Sequence, residues 1–202
     1  LIKGDFYESK SQYTMPENKN ALYCYQQARS LSPDSKEVKL RMTKADFYMP
    51  LQQIRQTGAF SAKTSEYRTI FAKLEAAISD FGRKYIADLE QAVLVQLKSD
   101  IRRQVDQGLP ISPDFMDLAS RTFPREKNFF NSAGKTLREK MEFSTLLSRI
   151  KTINNFDDKI PFYRKLFDAL DAAVARNGKA NMANLENSIF LQIKNDVQTH
   201  HV

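Results

Sequence analysis

The 202-residue chain has little of what most catalytic and metal chemistries require. It holds one cysteine, Cys24, so an internal disulfide and a cysteine-based metal site are both excluded. Set between Tyr23 and Tyr25 in a helical pattern, that cysteine reads as a buried small apolar side chain. The two histidines, His200 and His201, stand at the end of the sequence. A Ser-His-Asp or Cys-His site therefore lacks its base, and a zinc site of His and Cys ligands is unsupported for the same reason. There is no tryptophan, and glycine occurs only six times. Gly134-Lys135-Thr136 superficially matches the end of a phosphate-binding loop, but Phe129 stands where the first glycine belongs. No apolar run nears the roughly 20 residues of a bilayer span; the longest, Ala92–Val95, is broken by Gln96 and Lys98. No catalytic, cofactor-binding or metal-ligating residue, and no integral membrane segment, is expected. No signal-peptide pattern opens the sequence, and a start at Leu1 reads as a fragment or mature form.

Charge of one sign is also not concentrated. The net charge of +7 divides into 15 basic and 12 acidic residues over 1–101 and 16 and 12 over 102–202. Nucleic-acid binders show a clustered stripe or a known motif instead. The densest basic group is Lys135, Arg138, Lys140, Arg149 and Lys151, diluted by Glu139 and Glu142, and reads as a solvated helix face.

What is present is an internal repeat. Shifted by 96 positions, residues 47–106 fall without a gap on 143–202. Between Tyr67–Asp100 and Tyr163–Asp196, 13 of 34 positions are identical, and most others are apolar exchanges such as Ile78/Val174 and Val93/Ile189. Tyr67, Ile70, Phe71, Leu74, Ala77, Ile78 and Phe81 follow the spacing of one helix face, and Gly82 closes it, as Gly178 does in the second copy. A second stripe runs from Ile86 through Leu89, Val93, Leu97 and Ile101 to Val105. The short turn between them predicts an αα-hairpin, repeated at 162–177 and 179–199. Upstream, Phe47, Leu51 and Ile54 match Phe143, Leu147 and Ile150 on a further helix. Ala59–Glu66 and Asn155–Phe162 read as polar loops, each with one anchoring phenylalanine. Ala28-x4-Pro33 and Ala119-x4-Pro124, at an offset of 91, both read as a helix end before the next long helix. The expected fold is all-α: helical hairpins in two duplicated units of about four helices. The expected domains are 1–38, 39–108 and 109–202, with the Leu109–Pro113 prolines as the junction and the units packed continuously.

Residues 1–38 resemble a tetratricopeptide repeat. Ala21, Tyr25, Ala28 and Pro33 stand at the small, aromatic, small and helix-ending positions of that family's second helix. The preceding segment departs from the family pattern, since an extended Tyr13–Asn20 stretch containing Pro16 replaces a tight turn. With Gly4-Asp5 and Thr14-x-Pro16 it looks like the variant found after the membrane span in some bacterial signalling proteins. The resemblance implies stacking of solenoid type. It also implies a place on the periplasmic side of a membrane-anchored bacterial protein, with the cytoplasm as the alternative.

Among the retained polar residues, Glu90/Glu186, Gln96/Gln192 and Asp100/Asp196 read first as hydrogen bonds or ion pairs that fix hairpin register, and second as a repeated ligand site. The retained Tyr67/Tyr163 and Phe71/Phe167, like Phe129-Phe130, read as core packing ahead of base stacking. Arg68, Glu90 and Lys98, with Arg164, Glu186 and Lys194, are the expected partner-binding residues. The expected function is a non-enzymatic protein-interaction or scaffold module whose partner is another protein or peptide. The alternatives are a ligand-sensing domain with an apolar pocket lined by Tyr67 or Tyr163, and then a binder of nucleic acid or an anionic surface.

Overall fold

The computed structural model describes residues 1, 3–5 and 20–200. Among them, regular structure is entirely helical: α1 (Ala21–Leu31), α2 (Lys36–Gln56), α3 (Phe60–Phe81), α4 (Ala87–Gln107), α5 (Pro113–Thr122), α6 (Lys127–Lys151), α7 (Phe156–Asn177) and α8 (Lys179–His200). Short 3-10 turns, Arg83–Ile86 and Pro124–Glu126, precede α4 and α6. Lys3–Asp5 are also helical. The extended stretch expected at Tyr13–Asn20 lies, apart from Asn20, outside the described residues, as does His201. By contact the chain forms two compact units, Leu1–Asp100 and Ile101–Val202. The division falls within α4, whose last turns bond forward: Val105 accepts a hydrogen bond from Lys140 on α6 at 2.8 Å, and Arg102 lies over the Phe129 ring at 5.4 Å.

Local chemistry explains the helix ends. Asn20 caps α1 by accepting from the Tyr23 N–H, Ser35 caps α2 at the Val38 N–H, and Asn155 caps α7 at the Asp157 N–H. The two Ala-x4-Pro segments close their helices alike: the Ser32 N–H donates to the Ala28 carbonyl at 3.0 Å, and the Phe123 N–H to the Ala119 carbonyl at 2.9 Å. Gly82 and Gly178 end α3 and α7 at φ/ψ of 86/144° and 81/148°. These values lie outside the left-handed helical basin, near an extended region that only glycine enters readily. The strict need for glycine is therefore greater than a left-handed closing residue implies.

Two local expectations are corrected. Ala59–Glu66 and Asn155–Phe162 are not loops; α3 starts at Phe60 and α7 at Phe156, leaving only short connections before them. The apolar stripe is masked at its start because a buried position on each helix is lysine, Lys63 and Lys159. Pro161 also sits inside α7, where proline ordinarily breaks a helix. Phe60 is buried, as an anchor must be, while Phe156 is half-buried. Cys24 likewise is half-buried rather than buried, since α1 turns Ala21 and Tyr25 inward.

The core of the second unit gathers Phe143, Leu147 and Ile150 of α6, Tyr163, Leu166, Leu170 and Ala173 of α7, and Met182, Leu185 and Ile189 of α8. Their counterparts 96 residues earlier, from Phe47, Leu51 and Ile54 to Leu89 and Val93, are buried too. Each fully buried aliphatic or aromatic side chain stabilises by about 1.5–3 kcal/mol, so these positions carry most of the packing energy.

Candidate functional site

Each unit encloses one polar cluster built from four residues at matching positions. In the first, Asp100 Oδ1 accepts from Lys63 Nζ at 2.8 Å, while Asp100 Oδ2 accepts from Tyr67 Oη at 2.7 Å and Gln96 Nε2 at 3.2 Å. In the second, Asp196 accepts from Lys159 Nζ at 2.8 Å, Tyr163 Oη at 2.5 Å and Gln192 Nε2 at 3.1 Å. Lys63 and Tyr67 are one helical turn apart on α3, as are Gln96 and Asp100 on α4. Their helices bring the four groups to one point because Lys63 and Asp100 lie nearly the same distance along the chain from Gly82.

Burial pushes the Tyr67 phenol far above its ordinary range, and its hydrogen bond to the Asp100 carboxylate adds to the effect. Tyr163 is raised for the same reasons through Asp196. Burial alone would raise Asp196, but donation from Lys159, Tyr163 and Gln192 outweighs it and holds the carboxyl below its usual value. Each carboxylate is thus held ionised by three donors while its phenol keeps its proton. Chemically the cluster is a pin between two helices, the first of the two readings of Gln96 and Asp100. Lys63 and Lys159 complete it and were missed from sequence, lying upstream of the best-matching segment. The available signal was a lysine recurring at the 96-residue offset on an apolar helix face.

The six residues expected to meet a partner are placed at or near the surface. Arg68 and Arg164 are exposed on α3 and α7, and Lys194 is exposed on α8. Glu90 is half-buried and bonded to Arg83 at 3.2 Å; Glu186 is half-buried, 4.0 Å from Lys179; Lys98 is half-buried. On α8, Glu186 and Lys194 flank Phe190, and with Val197 they share one helical face through i, i+4, i+8 and i+11 spacing. Phe190 is 66% exposed, whereas its counterpart Leu94 is 8% exposed. Phe167 on α7 is 45% exposed against 1% for Phe71. This is no general loosening, because Val95 and Leu191 are equally exposed.

The basic group on α6 is partly spent inside the fold. Lys140 is buried, donates to the Val105 carbonyl, and has its ammonium pushed down by burial against an upward pull from Asp106. Arg149 lies over the Phe162 ring at 5.0 Å. Phe130 is buried and meets Phe129 edge-on at 5.3 Å, which is core packing. Among the described residues, no cluster of three or more His, Cys, Asp or Glu could hold a metal, and no helix is long and apolar enough to cross a membrane. Comparison with family models, with curated proteins and with solved structures gives no match.

Proposed function

We propose that the chain is a non-enzymatic helical-repeat module that binds another protein through its helix faces. Two duplicated four-helix units, stacked in the manner of tetratricopeptide repeats, are part of the same reading. So is a place in a bacterial signalling or envelope protein, on the periplasmic side or alternatively in the cytoplasm. The observation that carries the reading is the face of α8 that holds Phe190 between Glu186 and Lys194, with Phe190 exposed where Leu94 is buried. A large aromatic side chain between Glu186 and Lys194 is the pattern of an interface anchor with a polar rim. The partner that fits is an amphipathic helix, laid against α8 as helices lie against one another in this fold.

The test is selection of helical peptides displayed on phage against the full chain. Enriched clones are expected to bind saturably and to lose at least about tenfold in affinity with Phe190→Asp or Lys194→Glu. Thermal stability of these variants is expected to stay within about 0.5 kcal/mol of the parent, as for surface substitutions generally. Charge reversal at Arg68 or Lys98 is read in the same assay for the corresponding face of the first unit. Clones indifferent to all four variants, or a large stability loss at Phe190, would reject the reading.

A further inference from the structure

The second unit has a cleft of about 610 Å³ between the Pro110–Pro113 segment, α5 and α6. Its walls are largely apolar: Ile111 and Met116 on one side, Phe130, Leu137 and Met141 on the other, with Gly134 at the floor. Exposed Asp117 and Arg138 stand at its rim. The volume lies within the roughly 300–1,000 Å³ of ligand clefts. A second depression of about 550 Å³, lined by Arg138, Met141, Glu142, Thr145 and Leu146, shares two residues with it. Together they follow one side of α6 from Phe130 to Thr145, a run of about 22 Å at 1.5 Å per residue. An elongated apolar trough beside a helix suits another helix better than a compact small molecule.

The first unit shows what such a trough accepts. At the offset of 91, Met116 corresponds to Tyr25 of α1. In the first unit the helical residues Lys3–Asp5 lie against Tyr25, and Gly4 is buried so closely that an added Cβ would overlap the tyrosine ring. Asp5 accepts from Tyr25 Oη at 2.9 Å and lies 3.7 Å from Arg41 Nε on α2. The chemistry is thus a helix, a residue without a side chain for close approach, and a carboxylate answering an arginine of the following helix.

We infer that the α5–α6 cleft is a docking site for a short amphipathic helix of a partner protein, one that carries glycine at its point of closest approach followed by an acidic residue that pairs with Arg138. The inference rests on the reading of the chain as a helix-binding module and names a second place where binding occurs. Glycine is specified by the first unit, where Gly4 meets the ring of Tyr25, at the position of Met116, with no room for a Cβ. The acidic residue is set toward Arg138 on α6 and away from Asp117 on α5, as Asp5 is set toward Arg41 on α2.

The probe is a stapled helical peptide of about 14 residues, with leucines on one face and a central Gly-Asp pair, titrated into the full isotope-labelled chain. Backbone amide shifts are expected at Ile111, Met116, Gly134 and Met141, with saturable binding. Gly134→Leu is expected to abolish these shifts while leaving the melting temperature equal or higher: leucine is the better helix former, and an added Cβ meets only Met116 Cε at 3.9 Å. Arg138→Glu is expected to weaken the peptide about tenfold, and exchanging the peptide aspartate for lysine is expected to restore binding to that variant. Shifts confined to Phe190 and Lys194 on α8 would overturn the cleft inference and leave the helix-binding reading standing. Binding in the cleft that ignores Gly134→Leu, or that is equally strong for a lysine peptide on the parent chain, would overturn it as well. Absence of saturable binding anywhere on the chain would overturn both.

Discussion

Lys63 Nζ and Asp100 Oδ1 meet at 2.8 Å between α3 and α4, with side chains only 3% and 2% exposed. Ninety-six residues later, Lys159 and Asp196 meet at the same 2.8 Å with side chains 10% and 9% exposed. A buried ion pair gains little net stability over apolar residues of the same shape, but it penalises heavily the loss of one partner. Its consequence is registry: α3 and α4 can slide only by stranding a charge.

Lys63→Met is therefore expected to destabilise the first unit by about 3–5 kcal/mol, because it leaves Asp100 buried and unpaired. Combining it with Tyr67→Phe and Asp100→Leu is expected to recover most of that loss, since no buried charge then lacks a partner and the half-buried Gln96 amide can turn to water. Lys159→Met is expected to cost less, its pair being nearer to water. Urea unfolding of the single, triple and second-unit variants measures all three.

Stability is expected to respond to pH through the same clusters. Asp196 has a folded-state pKa below its ordinary 3.8, so its contribution is complete above that value and is lost as pH falls through the lower folded value. Asp196→Asn should flatten this acid limb of the urea-midpoint curve. Tyr67 and Tyr163 are raised above 10.0, so the folded chain keeps protons that the unfolded chain releases. Their contribution is complete below pH 10 and declines above it. Phenolate absorbance should show two of the eight tyrosines ionising only as the fold is lost, and Tyr67→Phe with Tyr163→Phe should remove that delayed step.

Gly82→Ala and Gly178→Ala are each expected to destabilise by about 1–3 kcal/mol through backbone strain. The positive φ values of 86° and 81° carry the cost, because an added Cβ at either position meets nothing within 4 Å. Gly58→Ala, with the same open surroundings and no positive φ, should be neutral or stabilising by up to about 1 kcal/mol. Thermal melts of the three variants separate backbone strain from packing.

Asn177 ties the end of α7 to α6, accepting from Thr136 Oγ1 at 3.0 Å and donating to the Glu139 carboxylate, which also holds Arg176 at 3.0 Å. Asn177→Ala is expected to destabilise the second unit by about 1–3 kcal/mol by stranding the partly buried Thr136 and Glu139 groups. The corresponding residue of the first unit is Phe81, so Phe81→Ala should show no such polar penalty. Hydrogen exchange at the last turn of α7 reports the difference.

Most of the helices were legible because their signals are local. The Tyr67–Phe81 and Ile86–Val105 stripes, the two closing glycines and the two Ala-x4-Pro ends each depend on neighbours a few residues away. The early turns of α3 and α7 were not legible. There a lysine occupies an inward position, and only an aspartate 37 residues further on makes that burial tolerable. Arg68, Glu90, Lys98, Arg164, Glu186 and Lys194 stand out in the sequence because they recur at the 96-residue offset, and recurrence says nothing of which neighbours they meet.

The sequence by itself determined that the chain is helical and that one pattern recurs at 96 residues, because periodicity, capping and glycine stops act within one or two turns. Tertiary structure alone decided that Phe71 is buried while Phe167 is exposed, and that Leu94 is buried while Phe190 faces water. The residue types at such paired positions are alike, so no local rule distinguishes them. Burial is a property of what else comes to lie beside a side chain, and that depends on contacts remote in sequence.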